Sequence, residues 1–336
     1  MTQGTSTRVG ERKPRHGGLW WRALLTGLLL YSAALVVLVL TGNPNLFPTV
    51  VMLGSFMVPA TYVAFFYERR HWSPLSLPTT AQGFFYGGVL GVFAASLLEP
   101  LFVGSLDVTT AFTVGLIEEL AKILGILVIA RRLRHDSELD GLILGAAAGM
   151  GFAALESTGY AFTSFLASGG SLSITVGVML LRGLYSPLGH GTWTAILAGV
   201  MFRESKAGHF RINRRVIGAY LTVVILHGLW DGLPLLIGVF VSSGPDVFIG
   251  QSLVAAIGLF ILWWRWREAV RLQTAQVRLA IPMAMRAGPI AQMLASTGLI
   301  LEAPTSAGPL VAATEQTHTD ASLDYDNQPS EEYVTI

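Results

Sequence analysis

Residues 20–41 read WWRALLTGLLLYSAALVVLVLT, with one arginine near the start and no other charge. A hydrocarbon core about 30 Å thick takes about 20 helical residues. With no water in that core, each backbone N–H and C=O must find its partner within its own segment, so such a run is helical. A basic head precedes it, but the run is long for a signal peptide and no small-residue cleavage site follows. It is therefore expected to be a retained first span.

Similar runs recur at about 48–67, 82–103, 110–130, 141–165, 181–202, 215–241 and 247–266. Pro187, inside the sixth, predicts a kink or the end of a re-entrant piece. The 336 residues are 52% hydrophobic and 13% charged, with a mean hydropathy of +0.57. A soluble domain carries about 25% charged residues. The expected fold is an all-α polytopic membrane bundle of about eight transmembrane helices, spanning residues 19–266. Residues 1–18 read as a basic disordered head, 267–300 as a possible amphipathic cytoplasmic segment, and 301–336 as an acidic disordered tail. The absence of cysteine excludes disulfides and thiolate chemistry. A net charge of +1 gives no reason to expect a nucleic-acid partner; the partner is the lipid bilayer.

Basic residues orient the spans. Loops after spans 1, 3, 5 and 7 contain no Lys or Arg, while those after spans 2, 4 and 6 hold Arg69, Arg70, Arg131, Arg132, Arg134, Arg203, Lys206, Arg211, Arg214 and Arg215. By the positive-inside rule both termini are cytoplasmic. Two cations break the pattern: Arg182, read as an anchor snorkelling from a span end, and Lys122, which is too deep for that.

Charges inside a span are costly and mark function. Span 4 holds Glu118, Glu119 and Lys122. At about 100° per residue, Lys122 lies about 40° from Glu118 and about 60° from Glu119, so the three share a face. Span 5 holds Glu156 on nearly the same face as Gly141, Gly145 and Gly149, a small-residue seam that admits a neighbouring helix. Span 6 holds His190, and span 7 holds His227 and Asp231 at i, i+4. With the helix directions set by the loops, all seven residues fall at one depth. Taken singly, a histidine here reads as a helix-to-helix hydrogen-bonding group, and the Glu–Glu–Lys set as a structural ion pair. Glu99, beside Pro100, reads as interfacial.

Two imidazoles and several carboxylates without cysteine suit a Zn²⁺ site with an open position for water. The same set could work without metal, a buried Glu acting as general base and a His–Asp pair polarising a carbonyl. No HExxH motif is present, because the candidates come from four helices.

Glu118-Glu119-x-x-Lys122, then Asp140-Gly141 leading to Gly149-x-Gly151-Phe152-Ala-x-x-Glu156, then His190-x-x-Trp193, then His227-x-x-x-Asp231 resembles the PrsW family of intramembrane proteases over about residues 80–245. These are distant relatives of the CAAX-processing and bacteriocin-immunity proteases. Ser157 departs from the pattern, which more often has Asn there. The resemblance implies cleavage of membrane-anchored protein substrates, an anti-sigma factor in the founding member. It implies classification as a metalloprotease, although relatives are argued to be glutamate-dependent. On that basis Glu118 or Glu119 would activate water and Lys122 would set the charge. Glu156 and His190 would hold the water or metal, and His227 and Asp231 would ligate or stabilise the oxyanion; the zinc ligands this implies are His190, His227 and Glu156. Two other readings stand beside it: a proton-coupled transporter, since intramembrane Glu, Lys and His also relay protons, and an inactive scaffold. Transporters often carry an internal repeat, and none is visible here.

Overall fold

The computed structural model describes residues 18–70, 73–105, 107–131, 137–205, 209–240 and 247–296, with side chains omitted at 236–240, 247–248 and 276–296. The expected head at 1–18 lies almost wholly, and the tail at 301–336 wholly, outside the described residues. The chain divides into two units, 1–277 and 278–336, and the first holds the bundle. The helices are α1 (Leu19–Thr41), α2 (Phe47–Glu68), α3 (Leu77–Phe102), α4 (Val108–Ala130), α5 (Glu138–Ala167), α6 (Leu172–Tyr185), α7 (His190–Glu204), α8 (Arg214–Phe240) and α9 (Val247–Ser296).

Among the described residues seven stretches are long and apolar enough to cross a membrane, α6 and α7 counting as one interrupted span, Leu172–Glu204. At 23 residues α4 matches α1 in length, but its three central charges break its apolar run. The bundle is the expected all-α membrane fold. Exposure fits that solvent: Leu29 and Leu40 of α1 are 71% and 79% exposed, which lipid accepts and water would penalise. Within the segment expected to be amphipathic, 267–300, the residues up to Ser296 are helical as part of α9.

The sixth span differs most from expectation. It starts at Leu172, not 181, where the Ser171 side chain caps the helix by accepting from the Ile174 N–H. Apolar character already begins near Leu172 in the sequence, but Ser173, Thr175 and Gly177 dilute the first turns and leave the denser run further on. Pro187 cannot donate a backbone hydrogen bond, and Ser186–Leu188 form a single 3₁₀ turn. The helix resumes at His190, which thereby becomes its first residue.

At the centre stands α5, 94% buried over its apolar window against 11% for α1. Gly141, Gly145 and Gly149 form the expected seam. A Cβ at these positions would meet the Ala198, Thr194 and His190 carbonyls of α7. On the opposite side Gly151 lies against the Phe84 carbonyl of α3, where a Cβ would overlap it. Gly151→Ala is therefore expected to destabilise the bundle by about 1–3 kcal/mol through overpacking, read as a lower thermal midpoint in detergent. Gly159→Ala, whose added methyl meets nothing within 4 Å, should leave that midpoint unchanged.

Ion pairs gather the helix ends. Glu138 at the start of α5 meets Arg265 of α9 at 2.5 Å and Arg203 of α7 at 3.5 Å, and Arg203 reaches Glu268 at 3.0 Å. Glu204 pairs with Arg215 at 3.0 Å, and the Leu19 N–H donates to Glu68. These contacts bring the arginine-bearing ends of α7 and α8 together with the middle of α9 at one end of the bundle.

Candidate active site

The site is built upward from α4. Helical spacing puts Glu118 and Glu119 four and three residues before Lys122, and both reach it. The Lys122 ammonium donates to Glu118 Oε2 at 3.0 Å and to Glu119 Oε1 at 2.8 Å. Its side chain is fully enclosed, and Nζ also lies 4.2 Å from the centre of the Phe152 ring of α5. A charge taken out of lipid and water needs such company, because an unpaired one there is prohibitive.

Three more helices close on this triad. His190, delivered by the break before α7, places Nδ1 2.8 Å from Lys122 Nζ and Nε2 3.1 Å from Glu156 Oε2 of α5. His227 of α8 sets Nδ1 3.0 Å from Glu119 Oε1 and turns Nε2 toward Glu118 Oε2 at 3.6 Å and Asp231 Oδ2 at 3.4 Å. Thr194 of α7 donates to the second oxygen of Glu119 at 3.2 Å. All seven residues singled out in the sequence thus occupy one connected cluster. Trp193 packs against both imidazoles, its ring 5.7 Å from His190 and 4.8 Å from His227, which restrains their planes.

Burial grades the cluster. Glu119 and Lys122 are closed, at 0% side-chain exposure, while Glu118 shows 7%, His190 13%, Glu156 19% and Asp231 30%. Glu119 forms the floor, and His190, Glu156 and Asp231 form the open side.

Arg182 is a correction. Rather than snorkelling away as an anchor, it points inward. Its Nη2 lies 2.6 Å from Glu156 Oε2, its Nε donates to Ser157 Oγ at 3.1 Å, and its guanidinium covers the Tyr160 ring at 4.0 Å. Ser157, where the motif departs from the usual Asn, is therefore the residue that holds this arginine. The one available signal was that Arg182 broke the loop pattern. Phe152 stood within the motif leading to Glu156, whereas Thr194 carried no signal beyond its place in an apolar run.

Donor geometry bears on a metal. One atom each from Glu118, His190 and His227 lies within 4.8 Å of the others. Glu118 takes the place assigned to Glu156 in the expected trio, because Glu156 is engaged by Arg182 and the far nitrogen of His190. Each imidazole has a carboxylate on its outer nitrogen, Glu156 for His190 and Glu119 for His227, the arrangement that orients metal-ligating histidines. The donor types and their backing fit a divalent cation such as zinc. In the arrangement described, the Lys122 ammonium supplies the positive charge between two of those donors, His190 Nδ1 and Glu118 Oε2.

Fold and cluster together define a polytopic membrane protein with a cluster of carboxylates and imidazoles enclosed in its bundle. The description PrsW family intramembrane metalloprotease matches residues 75–264, more than half of the chain. The chain belongs to that family and is an intramembrane protease by membership. No curated protein and no solved structure matches it.

Proposed function

We propose that this chain hydrolyses peptide bonds of membrane-anchored, single-span proteins, a class that includes anti-sigma factors, at the Glu118–His190–His227 cluster. The observation that carries the reading is the convergence of residues from α4, α5, α7 and α8 on one set of contacts about 3 Å long. A structural ion pair would need one acid and one base; here three carboxylates and two imidazoles surround Lys122.

Roles follow from contacts. Glu119 is saturated by Lys122, His227 and Thr194, so it orients and holds charge. Glu118 is held less tightly, its contacts to the two imidazoles being 3.6–3.8 Å long, and keeps 7% side-chain exposure where Glu119 has none, so it is the general base that takes the proton from water and returns it to the leaving amine. His227, fixed through Nδ1 by Glu119, turns its Nε2 toward Glu118 and the open side, with Asp231 setting its orientation, and there stabilises charge developing on the scissile carbonyl oxygen. His190 accepts from the Lys122 ammonium at Nδ1 and holds Glu156 at Nε2, so it positions both. Arg182 holds Glu156. A divalent cation held by Glu118, His190 and His227 would supply Lewis acidity toward that carbonyl, and Glu118 would then serve as its ligand in place of the base.

The orientation that accompanies this reading has both termini in the cytoplasm, supported by the Lys and Arg distribution. Residues 19–266 would form the protease domain, and the flanking segments would be cytoplasmic.

The test is cleavage of a single-span substrate by the purified full chain in liposomes. Solute transport without proteolysis would replace this reading with the transporter. Metal analysis completes it. Wild-type protein is expected to carry about one zinc per chain, lost in the His190→Ala/His227→Ala double variant. Metal-free protein that cleaves at the full rate would assign the chemistry to Glu118 alone.

A further inference from the structure

A cavity of about 220 Å³ opens beside the cluster, bounded by Arg182 and Tyr185 of α6, by Gly189 of the break, by His190, by Trp230 of α8 and by Gln251 of α9. Resting on the protease reading, we infer that this cavity receives the substrate side chain next to the scissile bond, and that it selects a bulky uncharged residue over a basic one.

Position is the first argument. His190 belongs both to the cavity wall and to the cluster, so a side chain seated here has its backbone against the reacting groups. The cavity also lies on the side where the cluster is open, since His190 and Glu156 are partly exposed while Glu119 and Lys122 are closed. The cavity follows from the chain itself. Pro187 and the 3₁₀ turn interrupt the span where a continuous helix would have filled this space with side chains.

Wall chemistry gives the selectivity. The rings of Tyr185 and Trp230 meet edge-on, 5.6 Å between centres, and offer apolar and π surface to an entering aromatic or thioether group. The Gln251 amide donates to the Trp230 carbonyl at 3.5 Å and closes the far wall with a neutral polar group. Among the described lining residues none is a carboxylate, and the one permanently charged group is the Arg182 guanidinium. Glu156 behind it is already engaged by Arg182 and His190. A lysine or arginine entering here would face the like charge of Arg182, with no carboxylate among the described lining residues to pair it. An acidic side chain would find a guanidinium whose charge Glu156 already offsets, so the uncharged bulky class is favoured.

The experiment uses the full chain in liposomes and a single-span substrate whose cut position is first located by mass spectrometry. The residues flanking the cut are then varied through Phe, Met, Ala and Lys. At one flanking position Phe and Met substrates should be cut with kcat/KM at least about tenfold above Lys. Gln251→Trp, which fills the cavity, should lower the Phe-to-Ala preference by about tenfold. An unchanged preference in that variant overturns the inference. The chain has no cysteine of its own, which allows a second measurement that does not depend on a bulky variant folding. Gln251→Cys in a Glu118→Gln background should form a disulfide, on mild oxidation, with a substrate bearing one cysteine at the selected position. Failure to cross-link there, while cysteines elsewhere on the substrate do, overturns it equally. Absence of any cleavage by the wild-type chain would sink the protease reading itself, whereas cleavage that ignores Gln251 sinks only the subsite.

Discussion

Glu118→Gln is expected to slow peptide-bond cleavage by about 10²–10⁴-fold, the usual contribution of a general base, with the bundle intact. Gln has the shape of Glu and keeps one oxygen to accept from the Lys122 ammonium, now 3.0 Å from Glu118 Oε2. It cannot take a proton from water. The same change at Glu119 acts differently. Glu119 touches Lys122, His227 and Thr194 and has no exposed surface, so Glu119→Gln releases His227 and leaves Lys122 underneutralised. Its loss of rate should come with a lower thermal midpoint, whereas that of Glu118→Gln should not. Initial rates in liposomes beside melting curves separate the two. Undiminished cleavage by Glu118→Gln would move the base to another residue, and undiminished cleavage by Glu118, Glu119 and His227 variants singly would end the protease reading.

How far the residues could be read before the structure depends on the kind of contact. The α4 triad needed only helical period: residues 118, 119 and 122 share a face on any α-helix, and the side chains meet at 2.8–3.0 Å. The meeting of four helices needed direction as well as period, and the loop arginines supplied it by assigning each span up or down. Arg182 lay beyond both. A cation near a span end reaches headgroups by default, and whether it turns inward depends on the rotation of α6 against α5, which no local pattern encodes. The exchange of Glu156 for Glu118 beside the two imidazoles is of the same kind. All three acids were identified, but which faces which nitrogen is decided by side-chain torsions after packing. Pro187 announced the break, while its consequence depended on where the helix restarted. Placing His190 at the first turn of α7 gives it both a site wall and a cavity wall.

Lys122→Met is expected to be the most destabilising single change in the chain. The ammonium is enclosed, and it donates to Glu118 at 3.0 Å and Glu119 at 2.8 Å and lies 2.8 Å from His190 Nδ1. Methionine fills the volume but leaves two buried carboxylates facing each other without a counter-charge, and breaking a buried pair this way costs about 3–5 kcal/mol. Arginine is no remedy, since its planar fork is larger than the ammonium and demands different acceptor geometry. The discriminating comparison is the double variant Lys122→Met/Glu119→Gln. If the loss comes from an uncompensated charge, neutralising Glu119 should return about 0.5–3 kcal/mol of it, the usual size of coupling between contacting residues. If the loss comes from packing around Phe152, whose ring lies 4.2 Å from Nζ, the second substitution should add to the damage. Denaturant or thermal unfolding in detergent reads the sign directly. A recovered midpoint with no recovered cleavage would place Lys122 as the charge that lets two acids share one buried site, while Glu118 keeps the proton-transfer role.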